Sequence, residues 1–328
     1  MDRRRLGRTD IEVSAIGLGC WQFSQGKGLT GGMWAALDQR TIDEVVAASL
    51  EGGIDWFDTA QIYGNGRSER ALSTALLDLD VQTGAVAVAT KWWPALRTAG
   101  DIARTIDARL GCLQGYPIDL YQVHQPWSLS SIGAQMREMA RLARAGRIHA
   151  IGVSNFSAGQ MLRASEALRA EGLVLASNQV RINLLDRRIE RNGVLDAAKS
   201  LGVTLIAYSP LAQGLLSGKF HDDPGLAGSL PRARRLRVSP AGRAYRRQSL
   251  TRTRPLIEEL QGIAVSQGAS AAQVALAWVL ARYGETVVAI PGASRPDQAA
   301  ANAAAMGLSL GDDEMRRLDE VSGRLARR

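Results

Sequence analysis

The chain has 328 residues, of which 46% are hydrophobic, so it is long enough for one large barrel with a sizeable core. Its two cysteines, Cys20 and Cys112, are too few for a disulfide framework and lack metal-ligand spacing, so we expect free thiols and no metal site. No apolar run approaches the ~20 residues of a membrane span, and no apolar stretch follows the charged residues 1–5. We therefore expect a cytoplasmic protein with no membrane partner.

The net charge of +8 comes from one segment rather than from a basic face. Nine arginines occur there without any acidic residue: Arg232, Arg234, Arg235, Arg237, Arg243, Arg246, Arg247, Arg252 and Arg254. The rest of the chain has 31 basic and 32 acidic residues. A solvated insertion at 232–254 is the favoured interpretation, and a contact with phosphate or an acidic partner is the alternative. Nucleic-acid binding ranks lowest, and we expect no such partner.

Short apolar runs alternate with helical patterns along the chain, after an opening β-hairpin made by residues 5–6 and 11–13. The predicted strands are 15–19, 54–58, 86–91, 120–124, 150–154, 176–180, 204–208 and 287–290. The predicted helices are 41–51, 68–77, 102–110, 132–145, 158–170, 188–201, 255–267, 271–283 and 296–305.

Eight short, continuously apolar strands separated by helices predict a closed parallel sheet that is buried on both faces. The number of strands favours a (β/α)8 TIM barrel over an open doubly wound sheet. No Pro- or Ser-rich linker divides the sequence, so residues 1–328 are interpreted as a single domain. Two connections, 21–40 and 220–254, exceed the usual loop length, and we expect long loops at the carboxyl-end face of the barrel.

Four side chains with acid–base chemistry stand at or just beyond predicted strand ends: Asp58, Tyr63, Lys91 and His124. The carboxyl ends of barrel strands are where barrel enzymes carry their catalytic residues. Because tyrosine ionises at about pH 10 in water, we expect Lys91, held by Asp58, to lower the pKa of Tyr63. A neutral His124 would orient a carbonyl oxygen while Tyr63 protonates it. Helix capping or core packing is the alternative for each residue taken singly.

Several segments resemble the aldo-keto reductase superfamily, and the similarity covers nearly the whole sequence. They are FDTA at 57–60 with YG at 63–64, IDLY at 118–121 with His124, GRI at 146–148, IGVSNF at 151–156 and AYSPLAQGLLSGK at 207–219. The resemblance implies a (β/α)8 barrel with a catalytic tetrad of Asp58, Tyr63, Lys91 and His124. It also implies that NADPH lies across the barrel mouth without a Rossmann fold.

The resemblance further implies which residues bind this cofactor. They are Trp21, Asp58, Ser154, Asn155, Gln179, Tyr208, Ser209, Leu211, Gly214, Ser217, Lys219, Gly292, Ser294, Arg295, Gln298 and Asn302. The members at 154–179 are implied for the nicotinamide amide, Tyr208 for stacking on its ring, and those at 209–219 for the pyrophosphate, which suits a glycine-containing loop with a lysine. Ser294 and Arg295 at a helix start favour the 2′-phosphate of NADP, with a capping serine and a solvated arginine as the alternative. Many relatives have an acid immediately before Asn302, whereas this chain has Ala301.

Tryptophans just beyond the predicted strand ends predict an apolar, aromatic substrate pocket over the reactive tyrosine. The predicted lining residues are Trp21, Tyr63, Trp92, Trp93, His124 and Trp127. Packing of two of these tryptophans against the barrel rim is the alternative. The favoured substrate is a carbonyl compound with an aromatic or medium-sized aliphatic scaffold.

The segment GKGLTG at 26–31 matches the dinucleotide fingerprint G-x-G-x-x-G. It neither follows a clear strand directly nor opens a helix, as that fingerprint requires. We interpret it as part of the first long loop.

Together these features predict an NADPH-dependent aldo-keto reductase that reduces aldehydes or ketones to alcohols. Its partner would be a small-molecule carbonyl substrate, and a monomer is favoured. The alternative is an NADP(H)-sensing regulatory subunit with slow turnover, because the Gly-Ala-Ser segment at 292–294 resembles β-subunits of potassium channels.

Overall fold

The computed structural model describes residues 3–28, 31–231 and 244–326. Five arginines of the predicted insertion lie outside the described residues: Arg232, Arg234, Arg235, Arg237 and Arg243. Leu29 and Thr30 of the glycine-rich fingerprint also lie outside them. The other four arginines of the insertion lie in the helix Arg247–Gln267 or immediately before it.

An antiparallel hairpin, β1 (Arg3–Arg5) and β2 (Glu12–Ser14), precedes an eight-stranded parallel sheet whose neighbours follow chain order. The strands of this sheet are β3 (Leu18–Gly19), β4 (Trp56–Asp58), β5 (Ala87–Trp92), β6 (Leu120–Val123), β7 (Ala150–Ser154), β8 (Leu175–Arg181), β9 (Thr204–Tyr208) and β10 (Val287–Ile290). Bridges from Ile16 to Ala289 and from Gly19 to Gly292 join the first strand to the last. The predicted TIM barrel with its amino-terminal hairpin is confirmed.

Helices follow the strands on the outside of the barrel. They are α1 (Gln39–Glu51), α2 (Arg67–Asp78), α3 (Gly100–Cys112), α4 (Ile132–Arg144), α5 (Ala158–Ala170), α6 (Val194–Leu201), α7 (Lys219–Asp222), α8 (Arg247–Gln267), α9 (Ala271–Tyr283), α10 (Pro296–Ala304) and α11 (Asp312–Ala326). The predicted helix 188–201 is shorter, because a 3-10 turn at Arg188–Glu190 precedes α6. In the described part of the chain, no single helix is long and apolar enough to span a bilayer, although α8 and the segment after it pass that test as a pair bent by 95°.

Local capping fixes where the loop after β7 ends. Ser157 accepts a hydrogen bond from Gln160 N at 3.4 Å, and Gln160 Oε1 accepts one from Ser157 N at 2.8 Å. This reciprocal capping box satisfies two backbone donors at the start of α5. It leaves only residues 155–157 between strand and helix, so the side chains at the end of β7 are tightly placed.

The amino-terminal end of the barrel is closed by the hairpin and by Trp56. Leu6, Val13 and Trp56 belong to one buried cluster that fills the lumen, and Trp56 Nε1 donates to Ser14 O at 2.9 Å. A Cβ at Gly17 would lie 2.3 Å from the Trp56 ring, so the ring packs directly on that backbone. The lumen is therefore a packed core at this end, so among the described residues a ligand has to approach from the opposite end.

Successive side chains of each strand point alternately into the barrel lumen and towards the helix layer. In β5, Ala89 packs into the lumen cluster, whereas the Thr90 hydroxyl donates to Glu69 of α2 at 2.6 Å on the outside. Lys91 then returns to the lumen, where it meets Asp58 of β4. The same alternation brings polar side chains together near the carboxyl ends of β4, β5 and β6.

Candidate active site

Asp58 and Lys91 form an ion pair in the barrel lumen, and 2% and 0% of their side-chain surfaces are exposed. Lys91 Nζ also donates to Thr59 O at 2.8 Å. The second carboxylate oxygen, Oδ2, accepts from the side-chain amides of Gln122 and Gln179. Because burying two charges is costly, the pair depends on these additional hydrogen bonds. The sequence prediction that Asp58 holds Lys91 agrees with this geometry.

Tyr63 lies in the turn after β4, with the Lys91 ammonium 5.2 Å from the centre of its ring. Tyr63 N donates to Ala60 O at 3.0 Å, and Tyr63 O accepts from Ser68 N at 3.2 Å, which ties the turn to α2. Burial of the phenol, together with the negative charge of Asp58, raises the pKa of Tyr63 well above its usual value. The expectation of a lowered Tyr63 pKa is therefore wrong, because desolvation and the carboxylate both disfavour the phenolate. The hydroxyl of Tyr63 therefore keeps its proton.

His124 directly follows β6, and its ring meets the edge of Tyr63 at a centroid distance of 5.7 Å. Burial and the nearby Lys91 charge lower the pKa of His124 well below its usual value. The imidazole is therefore neutral, as the sequence analysis required. Its Nδ1 is buried and has no hydrogen-bond partner among the residues of the described ranges.

Aromatic rings flank this pair on both sides. Trp21 stacks on Tyr63 with centroids 5.7 Å apart and planes at 17°, and Trp34 meets the edge of Trp21 at 5.8 Å. On the other side, Trp93 contacts the edge of His124 at 5.3 Å, and Trp127 contacts Trp93 at 5.6 Å. Together these rings form an aromatic wall, which reaches the solvent at Trp127, a residue that is 54% exposed.

Trp92 does not line this wall, which corrects the predicted substrate pocket. Its side chain is fully buried in the layer between barrel and helices, where Nε1 donates to Asp101 Oδ2 at 3.0 Å. Adjacent residues of a strand point to opposite faces, so Lys91 and Trp93 face the mouth side while Trp92 faces outward. The strand lies one residue later than predicted, at Ala87–Trp92 rather than 86–91, and this shift explains the error.

The residues assigned to the nicotinamide lie together at the ends of β7, β8 and β9. Ser154 Oγ donates to Gln179 O at 2.9 Å, and Asn155 Nδ2 contacts Ser154 Oγ at 3.1 Å. The Tyr208 hydroxyl donates to Asn155 Oδ1 at 3.1 Å. Asn155 has φ +60°, a left-handed conformation that turns its side chain back over the strand ends. Gln179 Nε2 donates to Asp58 Oδ2 at 2.9 Å, so this amide connects the group to the ion pair.

The loop after β9, which the resemblance assigns to the pyrophosphate, is tightly turned. Ser209, Ala212, Gln213 and Gly214 all have positive φ, between +48° and +90°. Its turns are closed by backbone hydrogen bonds of their own, since Ala212 N donates to Ser209 O and Gly214 N to Leu211 O, both at 2.9 Å. Gly214 lies beside Lys219, because a Cβ there would come 3.7 Å from Lys219 Cε.

Other members of the pyrophosphate set contribute backbone geometry rather than free side chains. Leu211 precedes the 3-10 turns of residues 212–217, and its carbonyl accepts from Gly214 N at 2.9 Å. The Ser217 hydroxyl donates to Gly214 O at 2.8 Å, which braces the same loop. These contacts hold the loop in place.

The residues assigned to the adenosine end surround the start of α10. Arg295, 61% exposed, forms an ion pair with Asp297 at 2.8 Å. Gln298 Oε1 accepts from Ser294 N at 2.9 Å, and Asn302 is buried. A 2′-phosphate at this helix start would therefore share Arg295 with Asp297, which weakens its hold.

Glycine at 292 is required by close packing at the seam of the barrel. A Cβ there would lie 2.0 Å from Gln22 Nε2, and the Gly292 carbonyl accepts from Asn302 Nδ2 at 3.5 Å. The described residues fit a nicotinamide dinucleotide, because two buried polar atoms beside Tyr63, His124 Nδ1 and Trp21 Nε1, have no hydrogen-bond partner among them. Gln122 and Trp34 also belong to this site, and the sequence analysis missed both.

Comparisons with known proteins agree with this geometry. Residues 15–322 match the family model described as Aldo/keto reductase family. An uncharacterized oxidoreductase of Mycobacterium bovis is 38% identical over 299 residues, which cover 91% of this chain and 86% of that protein. The chloroplastic pyridoxal reductase of Arabidopsis thaliana is 31% identical over 324 residues, covering 94% and 83%. The structure of the glycerol dehydrogenase from Gluconobacter oxydans superimposes with a TM-score of 0.82 at 29% identity, covering 98% and 95%. The chain therefore belongs to the aldo/keto reductase family.

Proposed function

We propose that this oxidoreductase uses NADPH to reduce aldehydes or ketones to alcohols, with Tyr63 as the proton donor. The observation that carries the proposal is the convergence of a protonated phenol, a neutral imidazole and a buried ammonium at the one open end of the barrel. Each group has the protonation state that carbonyl reduction requires.

Reduction needs a hydride at the carbonyl carbon and a proton at its oxygen. The nicotinamide supplies the hydride when it is bound. His124 donates a hydrogen bond that orients the carbonyl oxygen, and the Tyr63 hydroxyl gives its proton to that oxygen as negative charge develops there. The phenolate left behind lies beside Lys91, whose ammonium stabilises it until water returns a proton. Lys91 thus stabilises the phenolate that forms during the reaction; it does not lower the pKa of the Tyr63 hydroxyl before the reaction.

NADPH is preferred over NADH in this proposal because of the groups at the start of α10. Arg295 supplies a cation and Ser294 a hydroxyl at a helix amino terminus, which suits a phosphate. Since Arg295 already pairs with Asp297, we propose a moderate rather than an absolute preference.

The aromatic wall supports an apolar carbonyl compound as the substrate class. Trp21, Trp34, Trp93 and Trp127 offer ring faces and edges on both sides of the reacting groups. A flat aldehyde can pack against such rings with little loss of conformational entropy. Pyridoxal and glycerol enter the assay panel because two relatives are named for them. We further propose that the protein acts as a cytoplasmic monomer without a nucleic-acid partner.

The direct test measures NADPH oxidation with 4-nitrobenzaldehyde in the unmodified protein and in Tyr63→Phe. We expect the substitution to lower kcat by at least ~100-fold, because it removes the general acid while keeping the ring. Binding of NADPH, followed by its fluorescence, should remain. The same assay with NADH gives the cofactor preference, and pyridoxal, and glycerol with NADP+, extend the panel.

Tyr116→Phe is the matched control, since its hydroxyl bonds to Val81 O in the outer layer, away from the site. This variant should keep the unmodified rate. Equal rates in Tyr63→Phe and in the unmodified protein would remove Tyr63 as the proton donor. Tight NADPH binding with negligible turnover across the panel would instead favour a cofactor sensor.

A further inference from the structure

The Asp58 carboxylate is held by donors from three other strands. Its Oδ1 accepts from Lys91, and its Oδ2 accepts from Gln179 Nε2 at 2.9 Å and from Gln122 Nε2 at 3.0 Å. The four side chains have at most 3% of their surface exposed. A carboxylate with donors on both oxygens cannot rotate without losing a hydrogen bond, so its orientation is fixed.

Gln122 reaches Asp58 because its neighbour in the sheet, Gly152, has no side chain that would occupy the same space. In the sheet register Gln122 lies between Lys91 of β5 and Gly152 of β7. A Cβ at Gly152 would lie 2.9 Å from Gln122 Cγ and 2.4 Å from Ser177 Oγ, so any larger residue would displace the glutamine. The sequence thus provides both the amide and the space through which it extends.

The two amides that contact Asp58 are not equivalent. Gln122 Oε1 accepts from Gln179 Nε2 at 3.4 Å, while Gln122 Nε2 donates to Asp58, so the orientation of the Gln122 amide is set by two partners. Gln179 has a competing role, because it is also the side chain assigned to the nicotinamide amide. Gln122 is therefore the amide that donates to Asp58 without a second role at the cofactor.

We propose that Gln122 is a positioning residue for proton transfer: it fixes Asp58 Oδ2, so that Oδ1 holds Lys91 beside Tyr63. This inference rests on the proposed function. Lys91 lies 5.2 Å from the Tyr63 ring centre, a separation at which the interaction with a phenolate depends strongly on position. A small rotation of Asp58 would move the ammonium away from the charge that it stabilises.

The first test compares Gln122→Leu with Gln135→Leu. Gln135 is an equally buried glutamine that donates to Ser130 O at 2.9 Å on α4, outside the site, so its loss reports the cost of a missing buried amide alone. We expect Gln122→Leu to lower kcat with 4-nitrobenzaldehyde by about 10- to 100-fold, as misplaced catalytic groups do. The KM for NADPH should change by no more than about threefold, because uniform cofactor binding is kept. Gln135→Leu should keep the unmodified kcat.

The second test uses Gln122→Glu, which replaces the amide donor by a titratable one. A carboxyl beside the Asp58 carboxylate binds a proton tightly, since two negative charges at hydrogen-bond distance repel. In its protonated form the introduced carboxyl donates an O–H bond to Asp58 Oδ2, as the amide does. We expect kcat of Gln122→Glu at about pH 6 to exceed that of Gln122→Leu by at least tenfold, and to fall as pH rises and the carboxyl ionises.

A readout without cofactor separates this inference from the proposed function. In the unloaded protein, the urea midpoint of Gln122→Glu relative to the unmodified protein should fall as pH rises. The introduced carboxyl has a raised pKa in the folded state, so its stabilising effect is present at low pH and is lost at high pH. If the unmodified protein turns over no carbonyl compound, the proposed function fails, while this pH-dependent shift still reports the contact with Asp58. An unmodified kcat in Gln122→Leu, or a Gln122→Glu rate no higher than that of Gln122→Leu at every pH, overturns the inference.

Discussion

At the scale of single residues, burial and the charges of the Asp58–Lys91 ion pair set the acid–base character of the site. Asp58 raises the pKa of Tyr63, while Lys91 contributes to lowering the pKa of His124. Burial acts in the same direction as the charge in each case, and it is the larger cause in both. The phenol therefore keeps its proton and the imidazole stays neutral, which are the forms that deliver a proton and a neutral hydrogen bond.

The raised pKa of Tyr63 and the lowered pKa of His124 predict an unusual pH dependence of the reaction rates. The reductive single-turnover rate should vary by no more than about twofold between about pH 6 and pH 9, because the protonated phenol and neutral imidazole are fully populated throughout. Alcohol oxidation needs the phenolate as base, so its rate should rise about tenfold per pH unit without a plateau. Stopped-flow measurement with excess protein isolates the chemical step from product release. A plateau of the oxidative rate near neutral pH would show that Lys91 lowers the Tyr63 pKa after all.

The four residues of the candidate acid–base site were predictable from sequence, but the residues that support them were not. Asp58, Lys91 and His124 each end an apolar run, and strand ends in a barrel converge at one face. Gln122 stands inside such a run, where a polar residue on the lumen side signals a buried partner, but the sequence does not say which partner it has. Trp34 comes from the first long loop, whose path depends on tertiary packing rather than on periodicity.

At the scale of elements, a buried ion pair fastens two helices to the barrel. Glu69 of α2 pairs with Arg109 of α3, and the two side chains are 0% and 8% exposed. Glu69 also accepts from the Thr90 hydroxyl of β5 at 2.6 Å. Because Ser68 N donates to Tyr63 O, the same start of α2 also holds the turn that carries Tyr63.

Breaking this pair should destabilise the fold strongly. Arg109→Met leaves Glu69 buried without its cation and is expected to lower the free energy of unfolding by about 3–5 kcal/mol. The double variant Glu69→Gln with Arg109→Met should recover part of that loss, since no charge remains buried. Urea unfolding at neutral pH measures both effects.

An exposed ion pair provides the control for that experiment. Arg147 pairs with Asp107, and their side chains are 39% and 78% exposed, so Arg147→Met should change stability by less than about 1 kcal/mol. A loss of similar size in Arg109→Met would contradict a structural role for the buried pair.

Element prediction succeeded where apolar residues were abundant and failed where polar and charged residues predominate. The strands β7, β9 and β10 have the predicted bounds, because each is a continuous apolar run. Helix α11 was missed because most of its residues are polar or charged, although its few apolar residues recur at helical spacing. Helix α8 begins before Pro255, and the prediction started there because proline usually marks the first turn of a helix.

At the scale of the whole molecule, stability and chemistry occupy opposite ends of the barrel. The hairpin, Trp56 and Gly17 close the amino-terminal end, where side chains fill the lumen completely. The polar groups and the aromatic wall lie at the carboxyl-terminal end, on loops and final strand residues. Asp58 is only two residues from Trp56 in β4, so the two ends share a strand.

This separation predicts that a defect at the closed end leaves the chemistry intact. Trp56→Ala removes a ring that is 1% exposed and packs on the Gly17 backbone, so it should lower the free energy of unfolding by about 3–5 kcal/mol. At a temperature where the variant is folded, kcat/KM for an aldehyde per folded molecule should stay within about threefold of the unmodified value. Trp127→Ala should show the reverse pattern, with stability changed by less than about 0.5 kcal/mol and a raised KM for aromatic substrates. If kcat/KM per folded molecule instead fell well below the unmodified value in Trp56→Ala, packing at the closed end would be setting the position of Asp58 through β4.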